Sequence, residues 1–122
     1  MNLNYQFAQA TTGSAVTKYF VAPYPCKLES AVIVPEDSLA ASGSNYITLT
    51  VLGNDLSSAV VTQTTQSSAF SADTPIECTI SDVISAELAQ GEIFKITSAA
   101  TGTLANAADY TVMLYFVPAR SV

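Results

Sequence analysis

From residue 16 to residue 117 the chain repeats one phrase: a short run of Val, Ile, Thr, Tyr or Phe, then a cluster of Gly, Pro, Asn, Asp or Ser. β-Branched and aromatic side chains suit a pleated, half-buried surface, and the cluster residues supply turns. Alternation sharpens the reading: Ile47, Leu49 and Val51 fall on one face of a strand, with Thr48 and Thr50 opposite. In residues 75–80, Ile76, Cys78 and Ile80 share a face while Glu77 and Thr79 point away. No stretch carries a sustained 3.6-residue apolar stripe. The pattern predicts strands near 16–21, 27–34, 45–52, 58–65, 75–80, 92–98 and 109–117, and so an all-β, jelly-roll-like antiparallel β-sandwich of seven to eight strands.

Punctuation between the runs is strong. Pro23 and Pro25 stop the first clear strand, Pro35-Glu36-Asp37 closes the second, and Gly53-Asn54-Asp55 marks a hairpin-like turn. Residues 1–15 are rich in Gln, Asn, Thr and Ala, and read as an N-terminal arm or an edge strand. Residues 16–122 form the single sandwich domain. A turn or two of helix is plausible at 82–90, where Ser81 or Asp82 can cap it and Gly91 can end it. The last run places Tyr110, Val112, Leu114 and Phe116 on one face, and Met113, Tyr115 and Val117 on the other. A sandwich core covers one face of a strand. The second face calls for a neighbouring subunit, so Met113, Tyr115 and Val117 are the expected oligomer interface of a homo-oligomer, with a trimer as the expected number.

Charge narrows the function classes. Only 11% of the residues are charged, against a usual share of about 25%. The polar surface therefore comes mostly from Ser, Thr, Asn and Gln, which a partner can cover with little charge desolvation. A formal net charge of −6, with Lys18, Lys27, Lys95 and Arg120 scattered, argues against nucleic acid and against anionic membranes. No apolar stretch approaches the roughly 18 residues of a spanning helix, and the start lacks the pattern of a secretory signal. The expected folding compartment is a cytoplasm.

Reactive groups are scarce. Without histidine there is no serine triad, and two cysteines cannot make a zinc site alone. Glu29, Glu77, Glu92 and Asp109 read as solvated charges near strand ends rather than a paired-carboxylate site. Glu36-Asp37 and Asn54-Asp55 lack the D-x-D-x-D spacing of a calcium loop. No catalytic, cofactor-binding or metal residue is assigned, and no cofactor is expected. Cys26 and Cys78 read as reduced, buried small hydrophobes. Sugar binding is the fairer rival to a purely structural role. Trp is absent, however, and Tyr19, Tyr46, Tyr110 and Tyr115 lie within strands where burial is the simpler account. Tyr5 and Tyr24 sit in irregular segments and are the rings expected to be exposed.

Three stretches carry a family resemblance. They are Tyr19-Phe20-Val21-Ala22-Pro23 leading into Lys27-Leu28-Glu29-Ser30-Ala31-Val32-Ile33-Val34-Pro35; Leu39-Ala40-Ala41-Ser42-Gly43-Ser44-Asn45-Tyr46-Ile47-Thr48-Leu49; and Ala89-Gln90-Gly91-Glu92-Ile93-Phe94 with the closing strand to Pro118. Over about residues 16–118 the combination resembles the small jelly-roll proteins that decorate or cement the capsids of tailed bacteriophages. The resemblance implies a non-enzymatic virion protein, several relatives being trimers, on the outer capsid surface at three-fold or quasi-three-fold positions. There it would bridge subunits of the major capsid protein, after a stay in the host cytoplasm during assembly. It transfers no catalytic residues. Tyr5, Gln6, Phe7 and Tyr24 are the expected partner-binding residues, the first three because the arm is capsid-facing in other decoration proteins. A carbohydrate-binding or host-attachment module, in a head fibre or adhesin, remains the alternative.

Overall fold

The described residues form nine strands: β1 (Asn2–Gln9), β2 (Ala15–Val21), β3 (Cys26–Pro35), β4 (Tyr46–Leu52), β5 (Ala59–Thr64), β6 (Ile76–Cys78), β7 (Glu87–Leu88), β8 (Ile93–Thr101) and β9 (Ala108–Pro118). The computed structural model describes residues 2–11 and 15–119, so Met1 and Arg120 lie outside the described residues. All pairings are antiparallel. One sheet has the order β1-β9-β3-β6, with β7 also on β3, and the other the order β2-β8-β4-β5.

That order is a rolled hairpin. Folding the chain back on itself at the β4–β5 turn sets β1 beside β9, β2 beside β8, β3 beside β6 and β7, and β4 beside β5. Rolling the long hairpin then adds the β3–β9 and β4–β8 pairings. The result is the jelly roll that the strand rhythm predicts. Two features depart from the expected count: residues 2–9 form a full edge strand, and a two-residue strand, β7, appears within 82–90.

The helical turn expected at 82–90 is reduced to one turn. Asp82 caps it by accepting from the Ile84 and Ser85 amides, and Ala86 N–H donates to the Asp82 carbonyl. The segment then leaves helical geometry because Glu87 and Leu88 pair with Lys27 and Cys26 on β3.

The core lies between the sheets. Tyr110, Val112, Leu114 and Phe116 of β9 are buried and meet Phe20 of β2, Phe94 and Ile96 of β8, and Ile47, Leu49 and Val51 of β4. Phe116 crosses the gap between the layers, packing against Phe20 with centroids 4.3 Å apart and against Phe94 at 5.8 Å. Tyr110 stacks on Phe7 at 5.6 Å and meets the edge of Phe70 at 5.7 Å. Such aromatic pairs add about 0.5–1.5 kcal/mol each beyond their area burial. One polar chain crosses this core: the Tyr110 hydroxyl donates to Ser98 Oγ, and Ser98 Oγ donates to Gln9 Oε1 at 2.7 Å. It joins β9 and β1 of one sheet to β8 of the other.

Candidate interaction surface

The expected partner-binding residues do not gather on one surface. Phe7 is fully buried against Tyr110, so its side chain serves the core and is closed to a partner. Tyr5, expected to be exposed, is half-buried on the inward side of β1, and its hydroxyl donates to the Tyr19 carbonyl at 3.0 Å. Burial also pushes its phenol pKa up. Gln6 is exposed on the outward side, with Nε2 donating to Glu36 Oε1. Tyr24, in the turn between β2 and β3, is 40% exposed as expected of an irregular segment. Alternation explains the split: within β1, Tyr5 and Phe7 share the inward face and Gln6 points away. A polar-looking arm concealed a strand, because one Phe and one Tyr at matching parity suffice to seat it.

Met113, Tyr115 and Val117 lie on the outer face of the first sheet. Met113 and Tyr115 are half-buried and Val117 is exposed. In register, Met113 sits between Asn4 and Val32, and Tyr115 between Asn2 and Ser30. Tyr115 Oη approaches Met113 Sδ at 3.9 Å. Val32 and Val34 join this surface because a bulge at Glu29 shifts the register of β3. Inward residues run Cys26 and Leu28 before it, then Ala31 and Ile33 after it. The outcome is a partly apolar strip along β9 and β3, with Lys27 opposite Val117 and exposed Glu77 opposite Val32.

The outer face of the second sheet is threonine-rich. Thr17, Thr97, Thr50 and Thr62 stand in one row across its four strands. Tyr19, expected to be buried, is 55% exposed beside this row, because β2 is an edge strand and Tyr19 occupies its outward side.

The two ends of the sandwich differ. One carries a cleft of about 300 Å³ lined by Leu39, Ala40, Ser42, Asn45, Thr103, Ala105 and Asn106, none of them titratable. The other gathers the turns after β2, β4 and β6 and before β8. There Asp55 accepts from the Ser58 hydroxyl and from the amides of Ser58 and Ser57, which lower its pKa to about 2. Asp82 is lowered too, first by the Ser85 amide. Both carboxylates lock their turns. Among the described residues, no group of three or more His, Cys, Asp or Glu is placed to hold a metal ion. Cys26 and Cys78 are buried free thiols, and burial raises both pKa values, that of Cys78 to about 11.

The chain matches no protein-family model and no curated protein. Among solved structures it is similar to a chain of infectious bursal disease virus, Gx strain, at 13% identity and a TM-score of 0.36. That alignment covers 93% of this chain and 32% of the viral one, so this chain corresponds to about a third of the viral chain's length. The jelly-roll assignment rests on the strand order given above.

Proposed function

We propose that the protein is a structural, non-enzymatic component of a virion that binds the outer surface of an assembled capsid and braces neighbouring subunits. The observation that carries the reading is the pairing of a fully built jelly-roll core with large, sparsely charged surfaces. The Met113–Tyr115–Val32 strip and the threonine row offer contact area with little charge to desolvate, Glu77 lying beside Val32 and Lys95 beside Tyr19. Resemblance of residues 16–118 to phage decoration proteins supplies the capsid as the partner. Repetition on a lattice lets a modest single contact hold through avidity.

In this reading the strip along β9 packs against a second copy in a homotrimer. Changing Tyr115 to Asp is expected to shift the assembly towards monomer with the core intact. Native mass measurements that find wild type monomeric at high micromolar concentration would refute the oligomer.

The exposed Tyr19 ring beside a row of hydroxyls favours a second reading, a carbohydrate-binding module. One experiment separates the two: purified protein is mixed with undecorated capsids and sedimented, and the same preparation is applied to a glycan array. Saturable co-sedimentation without glycan retention supports the capsid role. Glycan retention without co-sedimentation replaces it with the second reading.

A further inference from the structure

Exposed apolar side chains are not spread evenly. Among the described residues, the large exposed hydrophobics besides Tyr19 are Val21, Tyr24, Leu56, Val83, Ile84 and Val117. All six belong to the end of the sandwich where β2, β4 and β9 finish and β3, β5 and β8 begin. The described loop residues at the opposite end include none of these. Ile84 is the extreme, 80% exposed, with Val83 at 58% beside it. Leu56, at the tip of the β4–β5 turn, is 43% exposed and holds φ at +57°. A leucine seldom adopts that left-handed geometry, which crowds its Cβ against the backbone.

These tips are held, not floppy. Asn54 N–H donates to the Ser85 carbonyl at 3.0 Å, and Asn54 Nδ2 to the Glu87 carbonyl at 2.8 Å. The turns approach so closely that a Cβ on Gly53 would lie 2.5 Å from the Ser85 carbonyl oxygen. Each turn is also tied by its own aspartate, as described above. A rigid aliphatic tip loses little conformational freedom on docking, which is what an anchor residue requires.

Charge identifies the occupant. Asp55, Asp82, Glu87 and Glu92 lie around the tips, against two described cations at this end, Lys27 opposite Glu87 in register and Lys95 opposite Leu52 near the start of β8. Beside Ile84 a cleft of about 370 Å³ runs past Pro25 and Leu88, with Glu87 and Glu92 on its border. A second copy of the same end would set carboxylates against carboxylates. An anionic bilayer would repel them as well. A protein surface that pairs an apolar depression with a projecting Lys or Arg satisfies both features.

We infer that the Leu56–Val83–Ile84 tip is the docking end of the molecule, inserting into an apolar depression of a protein partner whose Lys or Arg side chain enters the cleft between Glu87 and Glu92. The inference rests on the capsid reading, since it takes the capsid surface as that partner. It moves the capsid-facing element from the N-terminal segment, which is a strand of the sheet, to the turns at the end where that strand begins.

Leu56 permits a test that folding effects cannot imitate. Leu56→Gly removes the side chain and relieves the left-handed strain, so stability should hold or rise while binding falls. The measurement is co-sedimentation of the full chain with undecorated capsids at about 50 mM and about 500 mM salt. Wild type, Leu56→Gly, Ile84→Asp and the opposite-end control Ala105→Asp are compared, with urea midpoints taken for each. Expected are losses of about tenfold for Ile84→Asp and several-fold for Leu56→Gly, none for Ala105→Asp, and weaker wild-type binding at high salt. If wild type binds and both tip variants bind equally well, the inference fails while the capsid reading stands. If wild type does not bind, both fall. Loss in the tip variants with no salt dependence would refute the basic partner. Sedimentation of wild type with vesicles of phosphatidylcholine and phosphatidylserine would refute a protein occupant.

Discussion

Replacing Ser98 with Ala should destabilise the fold far more than the loss of one hydroxyl on a surface. Ser98 and Tyr110 are fully buried and Gln9 is 1% exposed. The Ser98 hydroxyl accepts from Tyr110 and donates to Gln9. Its removal strands the Tyr110 hydroxyl in the core, at about 1–3 kcal/mol for an unsatisfied buried donor. Gln9 loses a second bond but keeps other interactions, which adds about 1 kcal/mol. The expected total is about 2–4 kcal/mol. Tyr110→Phe should cost less, about 1 kcal/mol, because Ser98 can still donate to Gln9. Once that phenol hydroxyl is absent, Ser98→Ala strands only Gln9, so the double variant should cost about 2 kcal/mol and the pair should couple by about 1–3 kcal/mol. Urea unfolding of the four proteins reads this directly, as shifts in midpoint at constant m. A Ser98→Ala protein within about 0.5 kcal/mol of wild type, or strictly additive single variants, would refute the account of this network.

Further outcomes follow from other parts of the structure. Deleting residues 2–9 removes one of the two partners of β9, over residues 108–115, together with Phe7, so it should unfold the protein or lower its thermal midpoint steeply; an unchanged melting curve would contradict β1 as an integral strand. The Asp55 carboxyl is lowered to about 2, so its stabilising effect is present above the ordinary carboxylate pKa of about 3.9 and lost as pH falls through about 2. Asp55→Ala should therefore lower stability at pH 7, and the gap should close near pH 2 in thermal scans. Burial raises the Cys78 thiol to about 11 and the Tyr110 phenol higher still, so stability should hold at neutral pH and decline above about pH 9 as unfolded-state thiol and phenol groups ionise. Alkylation without reductant should spare Cys26 and Cys78 in the native protein and label both after denaturation; failure to label after denaturation would indicate a bridge.

Much of the sandwich was legible because its strands obey simple parity. Residues 46–52 and 76–78 alternate cleanly, and their boundaries match the turn residues on either side. The last strand was legible to the level of faces, with its even-numbered residues 110–116 inside. Where the reading fell short, a physical reason is visible. At Glu29 a bulge interrupts the parity of β3, so Val32 and Val34 share the outer surface with Met113 although Leu28 faces the core. In β1 the polar composition hid an inward set of Leu3, Tyr5, Phe7 and Gln9, whose seat depends on β9 about a hundred residues later. Tyr19 was placed inside by its strand position, but an edge strand leaves its outward side open. The end bearing Leu56, Val83 and Ile84 was the least legible part. Leu56, Val83 and Ile84 are ordinary aliphatics in sequence, and their turns are brought together by the bonds of Asn54 to the Ser85 and Glu87 carbonyls.

The central claim is a place on the outside of a capsid, and a cryo-electron microscopy difference map tests it most directly. Particles assembled without the protein are imaged before and after addition of the purified full chain at saturation. The account predicts new density of jelly-roll shape on the outer surface, spanning adjacent capsid subunits. The end bearing Leu56 and Ile84 should be seated against the shell. A difference map without added density at saturating protein would contradict the claim.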